Sequence, residues 1–280
     1  MKRTDEIKQY LKNKHKGGEN NQKGSLFEDF YAVYQIISCI AKYNPSFDRV
    51  EFQTQLEDTF VDDMLIAYPE QNIYHQLKNT KSLSWGKVNK LGDIAFDFAH
   101  QIEDCKAREE NFALKLVYSL KNSKVGEQTP EEIKAQTFTE YFDYLSDLNS
   151  LVIVSAPLKH VLMAITSHNT PTDELANVAS VFLGVWKGCD SKNGVSLKEI
   201  IHKTENFKHV NLNIYPDESI NEDCKKILDA IEGFEYHING RMFYWSIGRM
   251  NGSCPWPTEM ETEIIRQHPT DKWELISILS

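Results

Sequence analysis

The sequence predicts an α/β fold, an α+β arrangement around a mixed sheet with a C-terminal α+β extension, and three observations carry that expectation. Phe27, Phe30, Tyr31, Tyr34 and Ile37 recur at helical intervals. Three short runs follow, "VEFQTQLE" (50–57), "DDMLIAY" (62–68) and "IYHQLKN" (73–79), rich in branched or aromatic residues and separated by turn-length gaps such as "PEQN". A helical pattern at 92–106 then precedes a strand-like run at 112–120. The order helix, three strands, helix, strand fits a sheet with a helix on each face, the three strands being antiparallel.

Residues 1–21, including "NKHKGGENN", have few apolar groups and read as a flexible basic leader. Ser25 is a good N-cap and Glu28 stands three residues later at capping-box spacing, so the first helix is expected to start there. Beyond residue 120, "PEEIKAQTFTEYFDYLSDL" reads as a helix and "LVIVSA" as a buried strand that extends the same sheet, which closes a core of residues 22–156. In residues 157–280, helices are expected near 172–183, 196–204, 220–231 and 258–267, with a strand at 209–215. "FEYHINGRMFYWSI" centres Asn239 and Gly240 among alternating apolar residues, a hairpin signal. This extension is expected to bind a partner or support assembly.

Bulk properties narrow the function classes. The chain has 280 residues, 41% of them hydrophobic, enough for one large core or two modest ones. No apolar run approaches the roughly 20 residues that cross a bilayer, and "MKRTDEIKQYLKNKHK" lacks a signal-peptide core, so a cytoplasmic protein without a membrane partner is expected. Cys39, Cys105, Cys189, Cys224 and Cys254 show no zinc-ligand spacing and read as free thiols. The net charge of -10 opposes general affinity for nucleic acid, yet its distribution is uneven. Residues 1–24 hold seven Lys/Arg and three Asp/Glu, leaving -14 on the other 256 residues.

The second and third strands hold the candidate chemistry. Alternation along a strand puts Gln76 and Lys78 on one face with Tyr74, and His75 and Leu77 on the other. A four-residue turn brings the start of "DDMLIAY" beside the end of "IYHQLKN". A carboxylate, an amide oxygen and an ammonium therefore converge, a set suited to a magnesium ion and phosphodiester cleavage. Alternation sends Asp62 and Asp63 to opposite faces; Asp63 is preferred as the ligand because it adjoins the apolar run, and Asp62 is the second choice. The plainer reading makes Glu28 a capping acid, the aspartates solvated strand ends, and Gln76 with Lys78 a polar stripe.

"GSLFEDF", "DDMLIAY" and "YHQLKN" together resemble the restriction-endonuclease-like, PD-(D/E)xK superfamily in a variant with Gln-x-Lys for Glu-x-Lys. Within it the sequence resembles Mrr-type restriction nucleases and, especially, the Cap4-type double-stranded DNA nuclease domains of bacterial anti-phage systems. The resemblance covers roughly residues 22–120. It implies a restriction-endonuclease-like core and a metal-dependent DNA endonuclease using Mg2+ or Mn2+. Asp63 and Glu28 would be metal ligands, joined by Gln76 and the backbone carbonyl of Leu77, and Lys78 would be the catalytic lysine.

"QLKNTKSLSWGKVNKLG" (76–92) contains no acid and carries Lys81, Lys87 and Lys90 around Trp85, a positive loop suited to phosphates with an aromatic for stacking. The plainer reading is an exposed loop with Trp85 in the core. The acidic remainder implies help in reaching double-stranded DNA, from a partner protein such as an ATPase or sensor, or from a homo-oligomer. A noncatalytic nucleic-acid-binding or assembly subunit with a nuclease-like fold is the alternative.

Overall fold

The computed structural model describes residues 4–19, 22–42, 49–166, 170–207, 212, 220–239, 242–248, 250–256 and 258–279. Its first elements are α1 (Asp5–Glu19), α2 (Gln22–Ala41), β1 (Glu51–Thr54), β2 (Met64–Ala67), β3 (Asn72–Lys78), α3 (Ile94–Ala107), β4 (Phe112–Tyr118), α4 (Glu131–Lys134) and β5 (Thr137–Tyr141). There follow α5 (Leu148–Val154), α6 (Ala156–Ile165), α7 (Thr172–Lys187), β6 (Val195–Ser196), α8 (Leu197–Glu205) and α9 (Glu222–Ala230). The last are β7 (Phe234–Asn239), β8 (Met242–Ile247), β9 (Met250–Pro255), α10 (Thr258–Gln267) and α11 (Lys272–Leu279).

The chain divides into two units. The first comprises Met1–Ala32, Asp48–Ser146 and Leu183–Lys203, and the second Val33–Phe47, Asp147–Phe182 and Thr204–Ser280. This division interleaves the chain, where the sequence suggests a single break after residue 156.

A six-stranded mixed sheet in the order β5-β4-β3-β2-β1-β6 forms the first unit. β1, β2 and β3 are antiparallel, as expected, with Met64 opposite His75 and Leu65 opposite Tyr74. β4 and β5 then add in parallel to β3. Tyr74, Leu114 and Leu116 share one face and bury against Phe98 and Ile102 of α3. On the opposite face, His75 meets Tyr31 of α2 with ring centroids 5.7 Å apart. Helices therefore cover both faces around β3, which is buried from Tyr74 to Leu77.

In the second unit, β7, β8 and β9 form an antiparallel sheet. Phe234, Phe243 and Ile247 bury with Cys224, Leu228, Ile264 and Leu275 from α9, α10 and α11. The expected hairpin forms with Asn239 opposite Met242, so its connection is residues 240–241, which lie outside the described residues. Most of the expected strand at 209–215 also lies outside them. None of the five cysteines is in a disulfide among the described residues, and Cys105, Cys224 and Cys254 are buried. No single helix among the described residues is long and apolar enough to cross a membrane.

Several expectations are corrected. The segment read as a flexible leader is helical over Asp5–Glu19, because Ile7, Tyr10 and Leu11 share a face that packs with Phe60 and Phe96. α2 starts at Gln22, so Ser25 lies inside the helix and Glu28 has no capping-box role. The stretch read as one helix at 130–148 is the short α4 followed by β5, whose "TFTEY" alternates branched and aromatic residues in the strand manner. "LVIV" is helical, not a strand: Asp147 caps α5 by accepting from the Ser150 N–H at 2.7 Å.

Candidate active site

The end of β3 and the approach to β2 bring the motif residues together. Asp63 lies one residue before β2, and its Oδ2 accepts from the Leu77 N–H at 2.7 Å and from the Gln76 side-chain amide. Lys78 Nζ stands 3.9 Å from the same oxygen. Asp63 Oδ1 enters no hydrogen bond among the described residues. The N–H and carbonyl of one strand residue point to the same side. Since the Leu77 N–H points to Asp63 while the Lys78 carbonyl accepts from Ser119 N of the β4 side, the Leu77 carbonyl is directed towards Asp63.

Glu28 joins this group from the second turn of α2. Gln55 Nε2 donates to Glu28 Oε2 at 3.3 Å, from a residue whose positive φ of 53° sets it at the sharp exit from β1. Burial pushes the Glu28 carboxyl up to about 8, with Asp63 adding repulsion and Lys78 opposing it. Folding therefore takes up a proton between about 4.5 and about 8 at this position. The stability that Glu28 contributes is present below about 4.5 and is lost as pH rises through about 8. Accordingly, with no metal added, the wild-type Tm is expected to fall more between pH 5 and pH 9 than the Tm of Glu28→Gln. Parallel melting curves for the two proteins would remove Glu28 as the titrating group.

Asp62 turns away from Asp63, as alternation predicts, to a second centre that sequence reasoning missed. Lys14 of α1 reaches in, donating to the Phe60 carbonyl, to Gln76 Oε1 at 3.2 Å and to Asp97 Oδ2 at 2.9 Å. Its Nζ is also 3.1 Å from Asp62 Oδ1. Tyr10 donates to Asp97 Oδ1 at 2.8 Å, and Gln101 Oε1 accepts from the Phe60 N–H at 2.9 Å. Burial opposes the charge on Lys14, but Asp62, Asp97 and Asp63 outweigh it and hold the ammonium above its ordinary range. Burial likewise raises the Asp62 carboxyl, against the pull of Lys14.

Gln76 bridges the two centres. Its oxygen faces the Lys14 ammonium and its amide nitrogen faces Asp63, and reversing the amide would set donor against donor and acceptor against acceptor. The oxygen expected to bind metal is therefore engaged by Lys14. Among the described residues no group of three or more His, Cys, Asp or Glu is placed to hold a metal ion. Asp63 Oδ1, the Glu28 carboxylate and the Leu77 carbonyl are nevertheless hard oxygen donors of the type Mg2+ takes with waters and phosphate oxygens. The repulsion between the two acids is of the kind that a bound cation relieves.

The loop after Lys78 is pinned rather than free. Trp85, expected to be available for stacking, is 4% exposed, donates to the Val125 carbonyl at 2.7 Å and meets Phe98 edge-on. Gly86 has φ +69° with Asp93 pressed against it, so no side chain fits there. Lys81, Lys87 and Lys90 are exposed, and Lys90 pairs with Asp93 at 3.3 Å, which reduces the free charge of the loop. Trp85→Ala is expected to lower stability by about 3 kcal/mol in urea unfolding, the cost of a buried aromatic, without a specific loss of nucleic-acid stacking. No family model, curated protein or solved structure matches the chain.

Proposed function

We propose that the first unit is a restriction-endonuclease-like, metal-dependent endonuclease that hydrolyses DNA phosphodiester bonds. The observation that carries this reading is the convergence of Asp63, Gln76 and Lys78, with Glu28 beside them, at the ends of two antiparallel strands. The element order α2, β1, β2, β3, α3, β4 agrees with the core implied by the motif resemblance.

Asp63 organises the site by fixing the Gln76 amide and the Leu77 N–H through Oδ2, and its Oδ1 enters no hydrogen bond among the described residues. Lys78 places a partly exposed cation beside the two acids, suited to a phosphate and its developing charge. Asp63, Glu28 and the Leu77 carbonyl would hold Mg2+ or Mn2+, which supplies Lewis acidity and a more acidic bound water. Double-stranded DNA is brought by a partner protein or by assembly, as part of an anti-phage defence system, since the -14 outside residues 1–24 repels the duplex.

The test is incubation of the purified chain with plasmid, linear DNA and RNA, with Mg2+ or Mn2+ and with chelator. The chain alone is expected to cut weakly or not at all at physiological salt, and nicking and linearisation of plasmid that stop on chelation are expected once several copies assemble along the duplex or a partner brings it there. Binding without cleavage under every condition would favour the noncatalytic subunit, a reading that the engagement of Gln76 Oε1 by Lys14 supports. Neutralising Lys81, Lys87 and Lys90 together should weaken DNA binding about equally across sequences. The log-log salt slope of binding should become shallower by about 0.9 for each phosphate that the loop no longer neutralises.

A further inference from the structure

Four oxygens from four parts of the first unit surround one nitrogen. Asp62 Oδ1, Gln76 Oε1, Asp97 Oδ2 and the Phe60 carbonyl all lie around Lys14 Nζ, the three side-chain oxygens at 2.9 to 3.2 Å. An ammonium has three hydrogens. They serve Phe60, Gln76 and Asp97, and Asp62 Oδ1 is left buried without a hydrogen bond although it stands at ion-pair distance. Asp62 itself is only 8% exposed. The cage thus presents four oxygens to an ammonium with three hydrogens, and Asp62 Oδ1 is held by the ion pair. A divalent cation has no such limit, since Mg2+ takes about six oxygen donors and Ca2+ about six to eight.

Apart from the cage itself and the Tyr10–Asp97 hydrogen bond, the described part of α1 is held by a narrow apolar stripe. α1 docks through Leu11, packed with Phe60 and Phe96, and through the partly buried Ile7 and Tyr10. Asp5, Glu6, Lys8, Gln9, Lys12 and Asn13 remain exposed. Leu11 is thus the one fully buried apolar side chain that the described part of α1 contributes to that cluster.

We propose that this cage is an exchangeable cation site, filled by the Lys14 ammonium while α1 is docked and by a hard divalent cation when α1 withdraws. Binding such an ion draws the oxygens inward, to about 2.1 Å for Mg2+ or about 2.3 to 2.6 Å for Ca2+. Asp62, Gln76 and Asp97 stand on separate segments, so each side chain adjusts on its own. Gln76 keeps its amide on Asp63 throughout and so ties the cage to the candidate active site. α1 is then an autoinhibitory plug, and that half of the inference rests on the nuclease reading.

The experiment titrates Mn2+ into the full chain by calorimetry and by electron paramagnetic resonance. Lys14→Met is expected to bind one Mn2+ more per chain than wild type, or to bind it roughly tenfold tighter, because no helix-borne cation competes. Asp97→Asn added to Lys14→Met should remove that gain, and Lys14→Arg should behave as wild type. Mn2+ should also raise the Tm of Lys14→Met more than that of wild type, by restoring charge balance to the cage. A folded Lys14→Met with wild-type Mn2+ binding overturns the proposal and makes Lys14 a fixed structural ion pair. Should Lys14→Met not fold, Leu11→Ala in the full chain loosens α1 with the cage intact; it must also gain Mn2+ affinity, and no gain again overturns the proposal. Cleavage separates the two readings. A Lys14→Met protein that gains Mn2+ yet cuts neither DNA nor RNA, alone at low salt or assembled on the duplex, retains the cation site and removes the nuclease. Wild-type cleavage with no gain in either variant retains the nuclease and removes the plug.

Discussion

Asp63→Ala is expected to lower metal-dependent cleavage by more than about 10³-fold and to weaken Mn2+ binding at the same time, because one carboxylate organises three neighbours. Its Oδ2 holds the Gln76 amide and the Leu77 N–H and faces Lys78, while Oδ1 is free for a cation. Removing it leaves a strand N–H and a buried amide without their acceptor, so some stability is lost as well, about 1 to 3 kcal/mol. Asp63→Asn keeps the shape and separates charge from packing: activity should remain lost while most stability returns. Either change also removes the like charge that helps to raise Glu28, so the steep pH dependence of Tm assigned to that residue should flatten. Calorimetry decides the ligand. Unchanged Mn2+ affinity in Asp63→Ala would transfer the role to Asp62, whose carboxylate lies in the Lys14 cage instead.

The motif residues of β3 were legible because the strand's period of two fixes the facing of each side chain. Gln76, Leu77 and Lys78 could be assigned to faces from spacing alone, and Asp63 followed once the turn joined β2 to β3. Lys14 was not legible by that route, although its signal was present: Ile7, Tyr10, Leu11 and Lys14 fall at i, i+3, i+4 and i+7. The high charge and the glycines of the same stretch outweighed a narrow apolar stripe that is buried only against Phe60 and Phe96. Asp97 and Gln101 are an i, i+4 pair inside an apolar helix, which marks a polar face turned to the core but not its partner. Trp85 was misassigned because basic neighbours say nothing of where an indole points; Phe98 and the Val125 carbonyl, both distant in sequence, decide it. The short apolar run of α5 carries no period long enough to tell helix from strand, and the cap at Asp147 settles it locally.

Lys78→Ala is expected to lower the turnover number by about 10²- to 10⁴-fold while leaving KM and the fold nearly unchanged. The side chain is 30% exposed and its nearest acid oxygen is 3.9 Å away, so its loss removes little packing and a loose ion pair of under about 1 kcal/mol. What it removes is the cation beside the two acids, where on the nuclease reading a phosphate would approach. Glu28 supplies an independent readout: Lys78 opposes the rise of its carboxyl, so in Lys78→Ala the loss of stability with pH should move to higher pH than in wild type. Lys78→Arg distinguishes charge from proton transfer. A guanidinium keeps the charge and does not give up a proton near neutrality, so partial recovery identifies electrostatic stabilisation, the role that an ammonium facing two acids is suited to play. No recovery with intact DNA binding would assign Lys78 to proton transfer instead. Near wild-type cleavage by Lys78→Ala, with Asp63→Ala inactive, would remove the lysine from the reaction and leave the carboxylates and their cation to carry it.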